Sequence, residues 1–186
     1  SELRREEPHA RVVMVTKSEE DRTLVEAIGR RVDDYVVKPA SPRQVLSVVT
    51  RLLEGQQLQQ QRAAQDFAAR FPQLSRMRDE AETWQHYFAV YEELVSWDLR
   101  LTEAGERGLA ETVHSLMVDL RREFGQYVAG EYADWTAGAA GRPPLSTDVV
   151  ARWLVPQMKP GRPTLFVIID CMRLDQGRDL RPRLGA

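Results

Sequence analysis

The 186-residue sequence predicts a mixed but mostly helical chain: half of a doubly wound α/β sheet, then an all-α bundle, then the first strand of a second α/β domain. Three observations predict it. Helical and strand-like patterns alternate with short connections over residues 1–54. Apolar residues then recur at spacings of three and four as far as Thr136. A stretch crowded with glycine and proline follows, and beyond it an apolar run from Leu165 to Ile169 stops on Asp170.

The first region divides into five elements. Ser1 to Glu6 reads as the end of a helix, stopped by Pro8. Val12 to Thr16 is a continuous β-branched run of the kind buried on both faces of a parallel sheet. Ser18 and the acidic turn Glu19, Glu20, Asp21 suit a helix start by capping and by the helix dipole. Leu24, Val25, Ala27 and Ile28 give that helix its inner face, with Gly29 near its end. Tyr35 to Val37 is a second buried strand. Ser41 and Pro42 open a last helix, with proline at the first helical position. Val45, Leu46, Val48, Val49, Leu52 and Leu53 are its expected inner stripe.

From residue 55 to 136 the pattern is helical throughout. Six glutamines occupy the ten positions after Gly55, among them Leu58, and Phe67 and Phe71 follow. Glutamine is a fair helix former, so this is an exposed connecting helix. Trp84, Phe88, Tyr91, Leu94, Val95, Trp97 and Leu101 form one broad face, and Leu109, Val113, Leu116, Leu120, Phe124, Tyr127, Val128 and Trp135 a second. The turn at Gly105 and Gly108 makes these two helices antiparallel, with the Gln-rich helix as a third. An aromatic stripe at helical spacing reads as core before it reads as a ligand groove.

Residues 137–163 read as a Pro/Gly linker with one short helix, capped by Ser146 or Thr147 and ended by Pro156, with Val149, Val150, Trp153 and Leu154 on one side. Residues 164–186 begin a new domain with the strand Leu165–Ile169.

Composition narrows the function classes. The 26 basic and 28 acidic residues give a net charge of -2, without the basic excess that phosphate neutralisation on nucleic acid needs. Arg121 and Arg122 are the only adjacent basic pair in the long helices, and Glu123 follows them. The longest apolar run is five residues, far from the ~20 that span a bilayer. One cysteine, Cys171, excludes an internal disulfide and a cysteine-based zinc cage. A cytoplasmic protein without nucleic-acid binding or membrane insertion is expected. The chain opens without methionine and closes just after a strand has delivered an acidic residue, so it is expected to be a fragment truncated at both ends.

Two places carry chemistry. Thr16 and Lys38 each end an apolar strand, one helix apart, so both are expected at the carboxyl rim where an open parallel sheet binds ligands. A hydroxyl offers one hydrogen bond to a phosphoryl oxygen and an ammonium offers a compact charge. Pro39 would fix the turn, and a cis bond before it would aim the ammonium inward. Spacing alone leaves open that Thr16 caps a turn and Lys38 is merely exposed. Asp170 is the second place. A strand-end carboxylate is a common ligand for a hard cation, but zinc needs at least three protein ligands. His9, His86 and His114 lie in different regions without ligand spacing. From chemistry alone a structural role for Asp170 is the better reading.

The run "VVMVTKSEEDRTLVEAIGRRVDDYVVKPASPRQV" resembles the second half of a flavodoxin-like receiver domain of two-component systems, over residues 1–54. The resemblance implies phosphoryl hydrogen bonding for Thr16, a salt bridge to the phosphoryl group for Lys38 ahead of Pro39, and a rotamer switch for Tyr35. It also implies a magnesium ion, a sensor histidine kinase as partner and a homodimer formed through the phosphorylated receiver. The phosphoaccepting aspartate belongs to earlier strands of that fold. The segment "PTLFVIIDCMRLDQ" is similar to the opening of a PglZ domain of the alkaline phosphatase superfamily, in which the first strand ends on a metal-binding aspartate; this implies Asp170 as a zinc ligand. Cys171 stands where asparagine is usual and Gly177 where an aromatic usually follows. In this order, with "EYADW" in the helical module, the parts resemble the PorX type of response regulator. The resemblance implies phosphorelay signalling coupled to a zinc-dependent phosphoryl or phosphodiester hydrolase, with no complete catalytic set in these residues. The other reading is a non-catalytic helical adaptor that binds a partner protein.

Overall fold

The computed structural model describes residues 10–17 and 32–181. The expected helices at residues 1–6 and 19–29 lie outside them. The described elements are strands β1 (Val13–Thr16) and β2 (Asp34–Val37), helices α1 (Pro42–Asp79), α2 (Trp84–Ala104) and α3 (Arg107–Thr136), three short turns of 3-10 and π type between Ser146 and Gln157, and helix α4 (Leu174–Leu180). They fall into two compact units, one built from residues 1–71 and 99–111 and the other from residues 72–98 and 112–186.

In the first unit β1 and β2 pair in parallel, Val13 opposite Asp34 and Thr16 opposite Val37. Asp33 ties the start of the pair: its carboxylate accepts from the Val12 N–H at 2.8 Å and from Arg11 at 2.9 Å. Both strands were expected to be buried on both faces. Among their residues only Val36 and Thr16 are buried, and Val15 is 46% exposed. Two strands are the whole sheet among the described residues, so little covers its second face.

Ser41 and Gln44 begin α1 with a reciprocal capping box. The Ser41 N–H donates to Gln44 Oε1 at 3.1 Å, and the Gln44 N–H donates to Ser41 Oγ at 3.3 Å. No break separates the expected receiver helix from the Gln-rich helix. They are one helix that passes Gly55, which meets no neighbour, and contains Pro72. The missing N–H of proline removes one bond of the ladder, and the remaining bonds of the long helix outweigh that loss. The stripe expected to face inward does not: Val45, Leu46, Val49 and Leu53 are exposed. The buried positions of α1 in this unit are Ala63 and Phe67, farther along the helix. Gln60 donates to the Gly105 carbonyl at 3.3 Å and Arg100 pairs with Asp66 at 3.0 Å. These bonds hold α1 to the turn between α2 and α3, where Leu101 is fully buried.

The α2–α3 turn closes as a Schellman motif. The Glu106 N–H reaches the Leu101 carbonyl at 2.8 Å and the Gly105 N–H the Thr102 carbonyl at 3.0 Å. Gly105 takes φ +82, the left-handed conformation that a side chain would disfavour.

In the second unit α2 and α3 run antiparallel over a core of Val90, Leu94, Val95, Trp97, Val113, Met117, Leu120 and Trp135, with Leu74 from the end of α1. Arg78 and Glu123 form an ion pair between α1 and α3. Thr83 caps α2, accepting from the His86 N–H at 3.3 Å. A second Schellman turn ends α3, with Gly138 at φ +89. Beyond it, the expected helix with its apolar side packed is instead a run of short turns, and Val150 and Trp153 are about half exposed. Neither Ser146 nor Thr147 caps it; the Asp148 carboxylate accepts from the Leu145 N–H at 2.8 Å and takes that role. The apolar run Leu165–Ile169 forms no strand, and all five of its side chains are exposed. A strand exists only through its partner's hydrogen bonds, and no described segment supplies them.

Candidate functional site

The carboxyl ends of β1 and β2 lie side by side. One residue beyond the Thr16–Val37 pair, the Lys38 N–H donates to the Thr16 carbonyl at 2.7 Å. Residues opposite each other in a parallel pair share a face, and successive residues alternate. Met14, Thr16, Tyr35 and Val37 therefore line one face, while Val13, Val15, Asp34 and Val36 line the other. Thr16 is 7% exposed, Tyr35 is half-buried and Lys38 is exposed. The Lys38–Pro39 peptide bond is cis. A buried hydroxyl and a mobile cation at one rim can together take an anionic oxygen, the hydroxyl by one directed bond and the ammonium by charge.

Carboxylates near this rim have other work. Asp34 is on the opposite face, where one oxygen accepts from the Tyr35 N–H at 2.8 Å and the other pairs with Arg51 of α1. Asp33 is bound at the far end of the strands. The Asp34–Arg51 pair joins the strand that ends at Lys38 to the helix that follows it. Sequence reasoning had no signal for it, because the partners are separated by a turn and nearly three helical turns.

Asp170 belongs to the second unit. It is exposed in a turn, and its Oδ1 accepts from the Cys171 N–H at 2.9 Å. Cys171 adopts φ +57, unusual for a residue with a side chain. No group of three His, Cys, Asp or Glu suited to a metal occurs among the described residues. A single exposed carboxylate does not fit zinc or magnesium by itself.

After Asp170 the chain docks on α2. Arg173 holds Asp175 through two bonds of 3.0 and 2.7 Å, which keeps the Asp175 carboxyl below its ordinary range. Arg178 donates to the Glu92 carbonyl at 3.1 Å and to the Ser96 hydroxyl. Burial raises the Asp98 carboxyl, opposed by the charges of His114 and Arg173 and reinforced by Asp175. These contacts bring α4 to the helical unit through polar groups.

The aromatic stripe is mostly core, as its spacing implied, though not entirely. Tyr87 and Phe88 of α2 meet Phe124 of α3 at ring distances of 5.4 and 5.6 Å, and Trp84 lies edge-on to Phe88 at 5.3 Å. A cavity of about 260 Å³ remains beside them. Among the described residues no helix is long and apolar enough to cross a membrane.

No curated protein matches the chain. One family model does, beginning inside α1 and ending on the last residue of α3: over residues 57–136 the chain is similar to the linker domain of the PorX response regulator.

Proposed function

We propose that this chain carries the signalling path of a response regulator, from a receiver phosphorylation site to a metal-dependent PglZ phosphoryl or phosphodiester hydrolase. The observation that carries the reading is the match of residues 57–136 to the PorX response regulator linker domain, reached by a helix that starts four residues after Lys38 and enters the matched region without a break. In this reading Thr16 donates to the phosphoryl group, Lys38 ahead of Pro39 neutralises it, and Tyr35, on the same face as Thr16, changes rotamer with it. The kinase partner is a sensor histidine kinase, and the phosphorylated receivers pair.

A linker transmits only if its two ends dock differently in the two phosphorylation states. Arg51 offers such a point, since its ion pair with Asp34 couples the strand ending at Lys38 to α1. Asp170 would be one zinc ligand of the hydrolase, and magnesium would serve the receiver. The remaining ligands of both metals are not among the described residues, and no step is routed through either ion here.

The test uses the full-length gene product with acetyl phosphate as donor and a chromogenic phosphodiester as substrate. Lys38→Ala is expected to abolish the phosphorylation-dependent change in hydrolysis and in self-association while leaving the helical circular dichroism intact. A variant that responds to acetyl phosphate like the parent sinks the switch and leaves an adaptor role for the helical module.

A further inference from the structure

The cavity between α2 and α3 is lined by Tyr87, Phe88, Tyr91, Leu120, Arg121 and Phe124. All six come from one helical hairpin of the second unit. Its walls are ring faces and aliphatic carbon, with one charged group, the Arg121 guanidinium. No carboxylate lines it. Phe88 sits against Trp84 and Phe124 and yet is 46% exposed, so its ring is presented rather than covered.

The arginines around it differ in a way that matters. Arg122 pairs with Asp119 at 2.9 Å, and Arg78 pairs with Glu123. Arg121 has no ion pair or hydrogen bond among the described residues. The cation on the cavity wall is uncommitted while its neighbours are neutralised.

We infer that this cavity is a binding site for a small amphipathic anion, an aromatic or medium-chain aliphatic carboxylate, with its apolar body on the rings and its charged head on Arg121. An apolar protein cavity of roughly 150 Å³ holds one benzene ring. The volume of about 260 Å³ here therefore suits a bicyclic ring or a chain of comparable size. Small-molecule sites combine apolar walls with a few polar groups that fix orientation, and Arg121 supplies that group. A guanidinium binds a carboxylate through two parallel N–H bonds, and adjoining rings strengthen the contact by excluding water. A cationic ligand would meet only repulsion. The site stands apart from the strand-end residues and is independent of the response-regulator reading.

The experiment compares two probes that differ in charge, anilinonaphthalene sulfonate and the neutral N-phenylnaphthylamine, on the full chain by fluorescence titration. One saturable sulfonate site per chain is expected, displaced by 2-naphthoate. Arg121→Gln is expected to weaken the sulfonate about five- to tenfold and to leave the neutral probe unchanged, in line with a charge-assisted bond at a partly covered surface. Phe88→Ala is expected to weaken both probes, and Arg122→Gln neither. The unchanged neutral probe also reports that the Arg121 variant keeps its fold. Sulfonate binding that survives both Arg121→Gln and Phe88→Ala places the probe elsewhere and overturns the site. Equal losses in the Arg121 and Arg122 variants show general charge attraction and overturn it too.

Discussion

The Asp148 carboxylate accepts three hydrogen bonds, two from Arg142 at 2.6 and 2.9 Å and one from the Leu145 N–H at 2.8 Å. The Arg142 bonds, then the Leu145 bond, push its carboxyl down to about 2. A depressed folded-state value means that the contribution is complete above the unfolded value near 4 and is lost as pH falls toward 2. The turns at residues 142–157 are therefore expected to loosen between those limits. Amide exchange of Leu145 and Asp148, followed from pH 5 to pH 2, checks it, with Asp148→Asn already loose at pH 5. Asp98 is the opposite case. Burial raises its carboxyl, so the ionised form costs stability near neutrality, and that cost fades as pH falls through the raised value. Asp98→Asn is expected to raise the melting temperature at pH 7, with the gain shrinking at pH 4. Neither pair was legible in the sequence. Ion pairs at separations of six residues or across helices leave no periodic signature, whereas Thr16 and Lys38 were legible because an apolar run that stops on a polar residue marks a strand end.

At the scale of elements, the clearest sequence signals were the helix ends. Ser41 with Gln44, and the glycines after α2 and α3, have chemical reasons to stop or start a helix that no tertiary contact overrides. Gly105→Ala tests this directly. A methyl group there would oppose the left-handed backbone and approach the Gln60 amide to 3.0 Å. The expected loss is about 1–2 kcal/mol of stability by thermal or urea unfolding. The same substitution at Gly125, helical and without neighbours, is expected to cause no loss and to serve as control. Two element-level features were hidden. The continuity of α1 was obscured because proline usually ends a helix, and Pro72 does not. The inward stripe of its first turns was misassigned because periodicity identifies the apolar face and says nothing of what covers it. Val45, Leu46, Val49 and Leu53 are apolar at helical spacing and still exposed.

At the scale of the whole molecule, burial is concentrated in the helices and exposure of apolar groups in two places, the first turns of α1 and the run Leu165–Ile169. The second is the more consequential. Leu165 is 88% and Ile168 77% exposed, and the backbone of residues 163–169 takes part in no sheet. An extended apolar segment with free N–H and C=O groups is a template for pairing with a like segment of another chain. Sequence reasoning placed a strand here correctly by type, since β-branched residues dominate, but a strand is a property of a pair and its partner is not among the described residues. The isolated chain is therefore expected to self-associate as its concentration rises, with light scattering as the measure. A charge on the segment opposes edge pairing. Ile168→Lys should suppress the association without changing the melting temperature, because the replaced side chain packs on little. Leu46→Lys, on the other exposed stripe, separates the two surfaces: association that disappears with Leu46→Lys and persists with Ile168→Lys assigns it to α1 and refutes the edge-pairing account.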